Sequence, residues 1–94
     1  MLFMFHCTDK AGASEVRASN RNAHLDYLEA HKDRIFAAGP LLGDDGTSMI
    51  GSLLVVEFED KAAAQAFADN DPYAKAGLFE TVEIRPWRRV FPKA

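Results

Sequence analysis

Two short runs of consecutive apolar residues limit what this chain can become. Residues 2–8, Leu-Phe-Met-Phe-His-Cys-Thr, read as a strand. Leu53-Leu54-Val55-Val56 forms the centre of another, Gly51 to Glu59. Neither run alternates apolar with polar residues. A continuous apolar strand is the pattern of one buried on both faces. The chain must therefore supply, or recruit, cover for two sides of a sheet.

The intervening segments show how much cover is available. From Glu15 to Ala38 the pattern is helical, with Ser14 as N-cap and Gly39-Pro40 as the stop. At 100° per residue, Arg17, His24, Leu28, His31 and Ile35 fall within about 40° of one direction. Asn22, Asp26, Glu29 and Asp33 fall opposite and mark the solvent side. His24 thus lies on or beside the inward face. Leu41-Leu42-Gly43 begins a second strand, and Asp44-Asp45-Gly46-Thr47 is a hairpin turn into the third. Asp60 caps a helix through Lys61–Ala68. Glu80 to Val90 is a last strand, with Pro86 requiring an edge or a bulge.

The order is β-α-β-β-α-β, the α+β ferredoxin-like pattern with an antiparallel sheet, as one domain over residues 1–94. Two helices cover only one face of such a sheet. No residues remain for the other, so a homodimer with sheets packed face to face is expected.

The stretch before the last strand is chemically distinct. In Asp71-Pro72-Tyr73 the proline holds its neighbour extended, so Asp71 is presented at a stiff corner, and Gly77 lets the chain turn.

Several pieces occur together in order: Arg21-Asn22-Ala23-His24-Leu25, Ala38-Gly39-Pro40, Gly51-Ser52, Asp71-Pro72-Tyr73 with Ala76-Gly77, and Pro86-Trp87. With these the chain resembles the YciI-like (YCII-related) proteins over nearly its whole length. The loop between Gly43 and Ile50 is shorter than in some members. The resemblance implies a dimeric α+β barrel and a pocket holding a His-Asp pair, here His24 and Asp71. It also implies chemistry without metal or organic cofactor. One relative is a dehydrochlorinase of a chlorinated hydroxyquinol, and muconolactone isomerases belong to the wider superfamily. These are analogies of fold and family.

His24 can give or take a proton near neutrality, and Asp71 can orient the ring and stabilise its charged form. The structural alternative is a hydrogen-bonded histidine at a helix–sheet seam, with Asp71 capping the next turn. Tyr73 offers a phenol to a ligand, or packs on Pro72. Ser52 offers a donor to an anion, or ties its own strand end. Arg17 and Arg21 stand one turn apart on the His24 side and suit an anionic substrate. Otherwise they form surface ion pairs with Asp9 or Glu15. Asp9 itself could instead face the pocket.

Other classes fit less well. His24 and His31 are two turns, about 10 Å, apart on one helix, too far for one ion, so no metal site is expected. Cys7 is the only cysteine, which excludes an intrachain disulfide. Net charge is −3, from 11 basic and 14 acidic residues, the wrong sign for a nucleic-acid binder. The cluster Arg85, Arg88, Arg89 and Lys93, with Trp87 and Phe91, reads instead as an edge or interface strand. No apolar run approaches the ~18 residues a membrane span needs, and a cytoplasmic location is the default. Two functions remain. One is a cofactor-independent lyase or isomerase acting on a small anionic or aromatic molecule. The other is a module that binds such a molecule without changing it.

Overall fold

In the computed structural model, which describes residues 1–93, the two apolar runs lie side by side. Strand β1 (Leu2–Asp9) pairs antiparallel with β3 (Met49–Glu57), placing Phe5 opposite Leu54 and Cys7 opposite Ser52. β2 (Ile35–Leu42) and β4 (Phe79–Trp87) close the edges, giving the order β2-β3-β1-β4 with every pairing antiparallel. With α1 (Ser14–Ala30), α2 (Lys61–Asp69) and the short α3 (Pro72–Lys75), this is the ferredoxin-like α+β fold.

One face of the sheet carries the core. Phe3, Phe5, Leu54, Val56 and Ile84 are buried there with Phe58 and Phe67. Each such side chain contributes roughly 1.5–3 kcal/mol on burial. The small residues of α2 let it approach closely, so that Phe67 reaches Phe5, Phe58 and Tyr27 at centroid distances of 5.7, 5.2 and 5.1 Å. Asp60 caps α2 by accepting from the Ala63 amide at 2.8 Å.

Among the described residues, no helix lies over the opposite face. Leu2, Met4 and Val55 are half-buried there, while Leu53 and Trp87 remain 41% and 39% exposed. Phe36 lies 6.2 Å from Trp87 and is itself exposed.

The helix–strand boundary in the first half differs from the sequence expectation. α1 ends at Ala30, a 3₁₀ turn follows over Lys32–Arg34, and Ile35–Leu42 is strand. Gly39-Pro40 therefore lies inside β2 and terminates no helix. Length explains this. Seventeen helical residues span ~25 Å, matching an eight-residue strand at ~27 Å, whereas a helix to Ala38 would overshoot the sheet. Pro40 is tolerated because β2 is an edge strand, as Pro86 is on β4. Other ends also shift. Ala13, not Ser14, occupies the N-cap of α1, with no side-chain hydrogen bond, β3 runs Met49–Glu57 rather than Gly51 to Glu59, and β4 runs Phe79–Trp87 rather than Glu80 to Val90.

The 43–48 connection is held by Asp45, whose carboxylate accepts from the amides of Thr47 and Ser48 and from the Ser48 hydroxyl. The Ser48 hydroxyl, with those amides, holds the Asp45 carboxyl down to about 2. Gly46, at φ 74°, completes the turn.

Gly51 has a different constraint. A Cβ there would lie 2.3 Å from the Cys7 carbonyl oxygen and 3.3 Å from Leu41 Cδ1. The obstacle is the backbone of β1, which cannot swing away. Gly51→Ala is expected to destabilise the fold by about 1–3 kcal/mol, measured by urea unfolding. An unchanged midpoint would show that β1 and β3 can separate at this point.

Candidate functional site

The end of the sheet where β1 passes Cys7 and β3 passes Ser52 is roofed by α1 and by the Asp71 corner. Arg17 and His24, both on the inward face of α1, are buried at 6% and 8% exposure. Asp71 and Tyr73 come from the corner at 5% and 2%. Charged and polar groups this enclosed need partners.

His24 finds its partner in Asp71. Its Nδ1–H donates to Asp71 Oδ1 at 2.9 Å. A carboxylate oxygen only accepts, so this contact places a proton on Nδ1, and in the neutral ring the lone pair is then on Nε2. The same Oδ1 accepts from the Tyr73 amide at 2.9 Å, making Asp71 the N-cap of α3. The capping role and the pairing role thus coexist in one oxygen. Pro72 at the first helical position fixes the geometry. The Tyr73 ring stacks on the imidazole at 3.9 Å between centroids and 13° between planes.

Arg17 is tied more tightly still. Its Nε donates to Asp9 Oδ2 at 2.8 Å and its Nη2 to Asp9 Oδ1 at 2.9 Å, a bidentate pair. Nη2 also donates to the Gly51 carbonyl at 2.8 Å and to Ser52 Oγ at 2.9 Å. The guanidinium carbon lies 4.8 Å from the Tyr73 ring centroid. Burial works against the Arg17 charge, but the hydrogen bonds and charge of Asp9 outweigh it and hold the guanidinium above its ordinary value.

Between these groups opens a cleft of about 160 Å³. His24, Tyr73, Ser52, Arg17 and Arg21 supply its polar wall. Leu25, Leu28, Ala38, Gly39, Pro40, Met49 and Leu54 supply the rest. His24 Nε2 has no hydrogen-bond partner among the described residues, yet no buried side-chain nitrogen or oxygen there lacks one. Nε2 therefore faces open space at the cleft. Burial pushes the Tyr73 phenol above its ordinary value, with Arg17 and Arg21 opposing, so Tyr73 stays protonated at neutral pH. Beneath the site, burial and the charges of Asp71 and Asp9 push the Cys7 thiol up to about 12. It is a packed residue and no nucleophile at neutral pH.

The structure thus brings His24, Tyr73, Ser52 and Arg17 together at the cleft, with exposed Arg21 on its wall, while Asp71 stands behind His24 and Asp9 behind Arg17, neither lining the cleft. One expectation changes. The Arg17–Asp9 pair is not a surface ion pair, since both side chains are only 7% exposed. The other histidines lie elsewhere. His6 is exposed, out of phase with buried Phe5 and Cys7, and His31 turns its Nδ1 to the Tyr27 carbonyl at 2.8 Å. Sequence reasoning missed the apolar wall: Leu25 and Leu28 come from α1, Leu54 from β3, and the rest are Ala38, Gly39, Pro40 and Met49. The last four enter through β2 and its hairpin, and Pro40 stands opposite Ser52 in the register. No helix of the described residues is long and apolar enough to cross a membrane.

A family model, the YCII-related domain, matches residues 1–88. Protein YciI of Escherichia coli O6:H1 is 41% identical over 98 residues, covering 97% of this chain and all of the relative. An uncharacterised protein of Haemophilus influenzae is 31% identical with the same coverage. Among solved structures, the 5-chloro-2-hydroxyhydroquinone dehydrochlorinase of Burkholderia phenoliruptrix AC1100 superposes with a TM-score of 0.89. It was solved in complex with 2,5-dihydroxybenzoquinone, is 39% identical, and the match covers 96% of each chain.

Proposed function

The chain belongs to the YCII-related family, and on that footing we propose that it is a cofactor-independent enzyme of the lyase or isomerase type, moving a proton on a small hydroxylated aromatic or anionic molecule. The observation that carries the reading is the His24–Asp71 pair at 2.9 Å with Nε2 open to the cleft. Nε2 takes a proton from the bound molecule. The electron pair left behind forms the new π bond. In an elimination, chloride departs with the pair of the bond that breaks. Asp71 stabilises the imidazolium so formed, and positioned proton transfer of this kind gives typically 10²–10⁴-fold. The structural relative that removes HCl from a chlorinated hydroxyquinol makes dehydrochlorination the leading version. The test is chloride release from 5-chloro-2-hydroxyhydroquinone, followed beside thermal shifts with 2,5-dihydroxybenzoquinone. Chloride release supports the enzyme. Saturable binding with no turnover of chlorinated hydroxyquinols or lactones would favour the binding module instead.

The acting unit in this reading is a homodimer. Leu53, Trp87 and Phe36 on the uncovered sheet face need a partner surface, and two such sheets packed face to face supply it. Sedimentation equilibrium at micromolar concentration is expected to return twice the chain mass. A monomer there would remove this part of the proposal. A reducing, cytoplasmic setting fits the lone buried thiol of Cys7.

A further inference from the structure

The Arg17–Ser52 contact has a direction that hydrogen-bond chemistry fixes. A guanidinium has donors and no acceptor, so at 2.9 Å the Ser52 oxygen must accept. A serine hydroxyl also carries one donor, and Ser52 donates to no group among the described residues. Ser52 is only 3% exposed, and it lines the cleft with His24, Tyr73 and Arg21. The direction left for its proton is the cleft.

We propose that Arg17 is a positioning residue that sets Ser52 as a hydrogen-bond donor into the cleft, so that the site selects ligands presenting an anionic oxygen (a phenolate or enolate). The proposal rests on the reading that this cleft is the ligand site, and it deepens that reading by naming the ligand class. Three features support it. The bidentate hold of Asp9, with the Gly51 carbonyl, keeps the guanidinium from rotating away from Ser52. Contact with a fixed cation polarises the Ser52 O–H and strengthens it as a donor. Tyr73 stays a phenol and Arg21 adds an exposed positive charge, so the polar wall offers donors on the side where an oxyanion would lie. The acidic groups nearby, Asp9 and Asp71, are turned to Arg17 and His24.

The test compares 4-nitrophenol, whose anion alone absorbs strongly in the visible, with its uncharged methyl ether 4-nitroanisole. Native protein is expected to bind the phenolate in preference to the ether and to lower the pH at which bound 4-nitrophenol ionises. Ser52→Ala deletes the donor and leaves the Arg17–Asp9 pair intact. It is expected to reduce the phenolate preference about ten- to a hundredfold while ether binding holds, the effect of one charged hydrogen bond. Arg17→Lys is expected to lose preference in the same direction, and Ser52→Thr to keep most of it. An unchanged preference in Ser52→Ala overturns the proposal, even if Arg17→Lys loses it, because Arg17 would then bind the anion directly. Failure of native protein to bind either probe overturns it together with the cleft assignment. Failure to turn over chlorinated hydroxyquinols leaves it standing, since neither probe is converted.

Discussion

A His24→Ala variant is expected to lose about 10²–10⁴-fold in turnover while remaining folded. The loss is that of the imidazole which, among the described residues, alone lines the cleft, with a carboxylate behind it. Some stability is lost with the ring, since the buried Asp71 carboxylate keeps only the Tyr73 amide, but the Phe3, Phe5 and Phe67 core is untouched and the chain still folds. Asp71→Asn separates charge from geometry. The asparagine oxygen can still accept from Nδ1 and from the Tyr73 amide, since one oxygen serves both contacts. What disappears is the negative charge facing the imidazolium. A hydrogen bond between charged partners exceeds a neutral one by about 1–2 kcal/mol, so turnover should fall about tenfold with the unfolding midpoint little changed. Steady-state kinetics and thermal unfolding of the two variants check both parts. Native turnover in Asp71→Asn would reduce Asp71 to a helix cap.

Arg17→Met is expected to be the most destabilising replacement at the site. The Asp9 side chain is 7% exposed, and the guanidinium satisfies both its oxygens. Removing the cation leaves a carboxylate enclosed without its counter-charge, which costs about 3–5 kcal/mol. The Gly51 carbonyl and the face of Tyr73 lose a contact as well. The comparison that isolates the cause is Arg17→Met with Asp9→Leu. Replacing both partners removes the orphaned charge, so the double variant should be more stable than Arg17→Met alone. Urea denaturation of the three proteins measures this. A loss below about 0.5 kcal/mol in Arg17→Met, the size seen at an ordinary surface position, would mean that the pair is not locked.

The sequence carried the helix phase well, because burial of one face is a local property of spacing. Arg17 and His24 were placed inward seven residues apart, and both are buried. The Asp71-Pro72 corner was legible because proline restricts two residues regardless of context. The boundary after Ala30 was not. The residues from His31 to Ala38 continue an acceptable helical pattern, and only the sheet's need for a fourth strand opposite β3 overrides it. Gly39-Pro40 looks the same in a sequence whether it ends a helix or occupies an edge strand. The depth of the Arg17–Asp9 pair was also hidden. Eight residues of separation allow an ion pair, but burial depends on β3 bringing Gly51 and Ser52 beneath it.

Proton transfer at the cleft requires Asp71 to hold the His24 imidazole with a proton on Nδ1, so that the neutral ring turns its Nε2 lone pair toward the bound molecule. Long-range proton–nitrogen NMR on protein labelled with ¹⁵N in histidine measures this directly, with His24→Ala assigning the signal. The expected result is that the neutral form of the His24 ring carries its proton on Nδ1 and leaves Nε2 unprotonated. A ring protonated at Nε2 with a bare Nδ1 would contradict it, because the nitrogen facing the cleft would then have no lone pair to take a proton.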